Sequence, residues 1–134
     1  MNKNFLFILL AVGAMFVVPL ACSFSASTAN IDEVWMARDE AGEQRTEVFA
    51  QDEIFYCKVD LANAPDDTTV KASWTAVNID GEEPNIFLDE TELTTGANIL
   101  TFELSNNSLW PIGSYKVDLF LNGELDQTLE FEVK

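Results

Sequence analysis

From residue 31 onward the apolar side chains recur at every second position, and no helical period persists along the chain. Turn-forming residues interrupt the alternation at short intervals: Ala41-Gly42, residues 63–67 (NAPDD), Asp80-Gly81, Thr95-Gly96, residues 110–113 (WPIG) and Asn122-Gly123. A side chain that changes face at each residue suits a strand with one face buried. Frequent turns suit many short strands, so the chain is expected to be all-β, a sandwich or a barrel. The candidate strands are 31–37, 53–62, 68–79, a short run near 85–89, 98–105, 113–121 and 124–133. One face of the second holds Phe55, Cys57, Val59 and Leu61, and one face of the third holds Val70, Ala72, Trp74 and Ala76. Leu100, Phe102 and Leu104 share a face of the fifth, and Tyr115, Val117, Leu119 and Leu121 share one of the sixth. No internal repeat or second linker breaks residues 31–134, which read as one domain.

The last hairpin offers a choice of register. A two-residue Asn122-Gly123 turn carried on without interruption would set Val117 against Thr128, mixing apolar and polar side chains. A three-residue loop with a G1 bulge sets Phe120 against Glu124, Leu119 against Leu125 and Tyr115 against Leu129, which keeps the faces sorted. The bulged loop is therefore expected.

Cys57, Trp74 and Tyr115 fall in order on the second, third and sixth candidate strands, and Val117 stands two residues beyond the tyrosine. The arrangement resembles the core landmarks of an immunoglobulin domain: a cysteine, a tryptophan packed on it, and a tyrosine two residues before the partner cysteine. Here Val117 replaces that partner, and Cys57 is expected as a buried free thiol. Residues 49–57 (FAQDEIFYC), 61–68 (LANAPDDT), 70–74 (VKASW), 110–119 (WPIGSYKVDL), 122–123 (NG) and 129–131 (LEF) further resemble a family of bacterial exported or lipoprotein domains of uncharacterised function. That resemblance implies an immunoglobulin-like antiparallel β-sandwich of about seven strands outside the cytoplasmic membrane, and brings no catalytic residues.

Residues 5–21 (FLFILLAVGAMFVVPLA) carry no charge and follow the short segment MNKN. They are expected to be a signal segment of the lipoprotein type (1–21), followed by a flexible tether (22–30) and the sandwich (31–134). Cys22 is the expected lipid attachment site, which would anchor the protein in a membrane at the cell surface or the periplasmic face. Ala21 fits a lipoprotein cleavage motif and Leu20 is tolerated, whereas Pro19 departs from it. Ordinary cleavage after Ser27-Thr28-Ala29, giving a secreted protein, and an uncleaved anchor stay open beside it. A Cys22–Cys57 disulfide would draw the tether into the core and is set aside.

Acids outnumber bases 23 to 7, a net charge of −16, so nucleic acid and anionic headgroups are not expected partners. The sequence has no histidine, and it lacks a phosphate-binding glycine loop and the serine-nucleophile motifs. No cofactor, no metal ligand set and no catalytic residue is assigned. The nearest calcium-like segment is 78–83 (NIDGEE), but Ala76 and Phe87 stand where the first and last ligands of an EF-hand loop belong. Trp110 is expected to close one end of the core beside Tyr115, while Trp35 falls on the same face as Ile31 and Glu33. The expected function is that of a non-enzymatic envelope lipoprotein, its domain binding a protein or glycan or serving structurally. The alternative is a freely secreted acidic module that binds calcium through loop carboxylates.

Overall fold

The computed structural model describes residues 28–134, so the 1–21 signal segment, Cys22 and most of the 22–30 tether lie outside the described residues. The described residues form eight strands: β1 (Asn30–Ala37), β2 (Val48–Phe49), β3 (Phe55–Ala62), β4 (Thr69–Ile79), β5 (Ile86–Thr94), β6 (Ile99–Leu104), β7 (Gly113–Leu121) and β8 (Glu124–Val133). They make a three-stranded sheet, β1-β3-β6, and a five-stranded sheet, β2-β8-β7-β4-β5.

The alternation that predicts the strands also builds the core. Along β4, Val70, Ala72, Trp74 and Ala76 are buried while their neighbours are half-buried. In β3, Phe55, Cys57, Val59 and Leu61 face them from the other sheet. Phe55 is the centre of an aromatic cluster that joins the sheets. Its ring lies 4.5 Å from Trp110, 4.8 Å from Phe131, 5.0 Å from Phe49 and 5.6 Å from Tyr115. Such pairs add roughly 0.5–1.5 kcal/mol each beyond simple burial.

Four features depart from the sequence expectation. The first is β2, which makes eight strands rather than about seven. After Ala37 the chain leaves the smaller sheet and crosses to the edge of the larger one. There Val48 and Phe49 pair in parallel with Glu132 and Val133, so that sheet is mixed rather than antiparallel throughout. Two residues carry no period, so the strand leaves no signal in the sequence. The second is the length of β5, which extends beyond 89 to Thr94. Residues 89–92 (DETE) are all exposed at a sheet edge, and with no buried side they show no apolar alternation.

The third is the β7–β8 hairpin, where the bulged loop is incorrect. Leu121 pairs with Glu124 across a two-residue turn whose Asn122 (φ 50°) and Gly123 (φ 86°) are both left-handed. The extra residue sits within β8 instead: the register shifts after Phe120↔Leu125, so that Leu119 meets Gln127. Beyond that shift Val117 meets Leu129 and Tyr115 meets Phe131, which sorts the faces that an uninterrupted turn would have mixed. The fourth lies in β1, where the register shifts between Ile31 and Glu33. Ile31 and Met36 are buried in the core with Val34 packed against it, and Trp35 turns to the outer face.

Candidate functional site

The first described residue, Thr28, donates its hydroxyl to the Asn63 carbonyl at 3.3 Å, just past the end of β3. The chain therefore reaches the sandwich at one pole. The opposite pole, at the Phe55 end of β3, carries the connection between β6 and β7. Eight strand residues separate the two, about 25 Å at the usual rise.

Trp110 organises this far pole. Its indole N–H donates to the Glu53 carbonyl at 3.0 Å, and its backbone N–H donates to the Gln51 carbonyl at 2.8 Å. The Gln51 side-chain amide donates back to the Trp110 carbonyl at 2.9 Å. The ring stacks on Phe55 and meets the edge of Tyr115 at 6.0 Å. Tyr115 donates its hydroxyl to the Pro111 carbonyl at 2.5 Å, four residues upstream. Trp110 is thus buried and pinned, and its neighbours Leu109 and Ile112 stand out at 62% and 48% exposure. Gly113, at φ 154°, lets β7 begin hard against β4: a Cβ there would lie 2.3 Å from the Asn78 carbonyl oxygen. The result is an apolar tip on a rigid base.

On the flank, where β5 and β6 are the outer strands of their sheets, the sandwich opens into a cleft of ≈ 430 Å³. Ala76, Ile79, Leu88, Leu104, Trp110 and Tyr115 form its apolar walls, and Asp89 lines it as well. Acidic residues ring the same pole. Glu53 pairs with Arg38 at 3.1 Å, and its carboxylate also accepts the Ala50 amide at 2.7 Å. Asp80, Glu82 and Glu83 are exposed in the β4–β5 turn. That turn is closed by the Asn85 amide on the Val77 carbonyl (2.9 Å), with Gly81 left-handed at φ 81°. Among the described residues, no three Asp, Glu or Cys side chains gather as a metal site there or elsewhere.

The residues marked out by the sequence do not converge on one site. Cys57 in β3, Trp74 in β4, and Tyr115 and Val117 in β7 are all buried in the core between the sheets. Burial pushes the Cys57 thiol up to about 12, so at neutral pH it is protonated and a poor nucleophile. Cys22 lies outside the described residues. Trp35 is not in the core. It lies on the outer face of the small sheet, with its indole N–H on the Gly42 carbonyl (2.9 Å) and the Arg45 guanidinium 4.1 Å above its ring. Close by, the buried Lys58 donates to the Glu40 carbonyl at 2.8 Å and to the Thr101 hydroxyl at 2.5 Å. The sequence marks out Trp110 directly, and Leu109 and Ile112 only through their place beside it. The signal was present: in 109–112 (LWPI), one large side chain fills the core and its apolar neighbours are left outside.

Neither a protein-family model nor a curated protein matches the sequence. Solved structures do match in fold. An immunoglobulin-like protein from Pseudomonas aeruginosa superposes with a TM-score of 0.54 at 18% identity, over 81% of this chain and 98% of that one. The fold is immunoglobulin-like. In such a sandwich β3 and β7 take the places of the two strands that the disulfide joins in antibody domains, where Cys57 and Val117 now stand. An alkylpurine DNA glycosylase from Pseudomonas fluorescens, solved with DNA, matches with a TM-score of 0.51 at 19% identity. The match covers 84% of this chain and 32% of the glycosylase, so this chain corresponds to about a third of it. A β-glucosidase from Listeria innocua matches over 16% of its own length, with a TM-score of 0.49.

Proposed function

We propose that the protein is a non-enzymatic binding or structural module of the cell envelope, held to a membrane by a lipid on Cys22. One observation carries the reading: the chain reaches the immunoglobulin-like sandwich at the Asn63 pole, opposite the Trp110 loop. A tether entering there presents Leu109 and Ile112 away from the membrane, on a base fixed by five hydrogen bonds and ring contacts of Trp110. The uncharged 5–21 segment with Cys22 behind it supports export, and the resemblance to bacterial exported domains supports the same placement. The far pole is built for contact rather than chemistry. It offers an apolar tip and carboxylates, and the buried Cys57 thiol is held protonated. A protein or glycan surface is the partner such a tip serves.

The tether is tested by growing cells on a labelled fatty acid and recovering the protein with and without Cys22→Ala. The wild type is expected to take up label and sediment with membranes, and the variant to do neither. An unlabelled wild type whose partitioning is unchanged by the substitution would overturn the tether.

A further inference from the structure

The three-stranded sheet stops at β6, which pairs only with β3 among the described residues. The Leu61 amide donates to the Asn98 carbonyl at 2.7 Å. Antiparallel alternation from that bond directs the N–H and C=O groups of Leu100, Phe102 and Leu104 toward β3. Those of Ile99, Thr101 and Glu103 are therefore directed to the free edge. Beside this edge lies the ≈ 430 Å³ cleft, with Leu88, Leu104 and Trp110 among its walls and Asp89 lining it.

On this flank the two edge strands differ. β5 carries Asp89, Glu90 and Glu92, its register with β4 shifts between Trp74 and Thr75, and Asp89 pairs with the inward-facing Trp74. Carboxylates along the strand and a bulge both discourage an edge from accepting another strand. β6 (ILTFEL) is regular and has one charge, Glu103.

We propose that the free edge of β6 docks an extended, positively charged segment of a partner protein as a fourth strand of the small sheet. This deepens the binding-module reading and rests on it. The unpaired backbone groups of Ile99, Thr101 and Glu103 specify another backbone, and the cleft accepts apolar side chains at every second position of that strand. Asp89, Glu103 and the net charge of −16 select a cationic segment. The same charge sets a second copy of this chain against itself, so the occupant is a different protein.

The test titrates the full-length protein in neutral detergent with a synthetic peptide of alternating lysine and valine, about nine residues long. Amide exchange is followed residue by residue. The amides of Ile99, Thr101 and Glu103 are expected to slow by about tenfold or more, while those of Leu100 and Phe102 keep their rates. The glutamate–valine counterpart is expected to have no effect. Glu103→Pro removes a free-edge donor without touching the β3 pairing, and it lowers peptide affinity by about tenfold or more, as does Asp89→Lys. No binding, protection of other amides alone, or undiminished affinity in a folded Glu103→Pro would each overturn the proposal. Should Glu103→Pro not fold, the wild-type exchange pattern and Asp89→Lys decide. A protein that takes up lipid at Cys22 yet ignores the peptide refutes the β6 edge and leaves the module reading standing.

Discussion

Cys57 and Tyr115 make the protein's response to alkali a property of two buried side chains. Burial pushes the Cys57 thiol and the Tyr115 hydroxyl each up to about 12, from ordinary values of 9.0 and 10.0. Above those ordinary values the unfolded chain loses protons that the folded chain keeps, so stability is full below about pH 9 and declines as the pH rises toward 12. Urea midpoints are expected to hold level from about pH 7 to 8.5 and to fall from about pH 9.5 onward. Cys57→Ala, less stable at neutral pH, is expected to show the shallower alkaline decline; an equal slope would contradict the assignment. At the far pole, Trp110 and Leu109 are neighbours with opposite fates. Trp110→Ala empties a buried site and loses its hydrogen bond to Glu53, and about 3–5 kcal/mol of destabilisation is expected. Leu109→Ala, at an exposed position, is expected within about 0.5 kcal/mol of the wild type. Denaturant melts of the two check this, and similar losses would mean that Trp110 does not plug the core.

The strands show where local pattern suffices and where it does not. β3, β4 and β7 each bury one face against the other sheet, so their alternation could be read directly. β5 and β2 could not be read so. Residues 89–92 gain no buried face at the edge, and Val48-Phe49 is positioned by Glu132 and Val133, more than eighty residues away in the chain. In the last hairpin the need to sort faces was read correctly. The position of the extra residue was not, because Asn122-Gly123 closes a tight left-handed turn unaided and the bulge moves into β8. At the candidate site, Trp110 and Tyr115 could be read because the core demands them. The exposed pair Leu109 and Ile112, and the free edge of β6, depend on which strands end up adjacent. Two glycines separate backbone freedom from close packing. Both have positive φ, but a Cβ at Gly123 meets nothing within 4 Å, whereas one at Gly113 would meet the Asn78 carbonyl at 2.3 Å. Gly123→Ala is expected to cost about 1–2 kcal/mol from the left-handed backbone alone. Gly113→Ala is expected to cost clearly more and to disturb the β4–β7 pairing. Thermal melts of both variants would contradict this by ranking them the other way.

As a whole the molecule is a small sandwich that carries 23 acids against 7 bases. Among the described residues its ion pairs are few and at least partly exposed: Arg45 with Glu33 at 2.9 Å, Arg38 with Glu53 at 3.1 Å, Lys116 with Asp118 and Lys134 with Glu132 each at 3.4 Å. Such pairs contribute little, and repulsion among the unpaired carboxylates opposes the compact state. Adding sodium chloride from about 0.01 M to 0.5 M screens that repulsion and is expected to raise the melting temperature. A fall would show that the exposed pairs outweigh the repulsion. The same charge disfavours nucleic acid and anionic membrane surfaces as partners, and the proposed attachment to a membrane is a lipid on Cys22. That attachment would set which pole faces outward and which surfaces a partner can reach. The most direct measurement is the intact mass of the mature protein extracted from membranes. A chain beginning at Cys22 and heavier than its residues by a lipid is expected. A lipid-free chain beginning at Asn30, recovered in the soluble fraction, would contradict it.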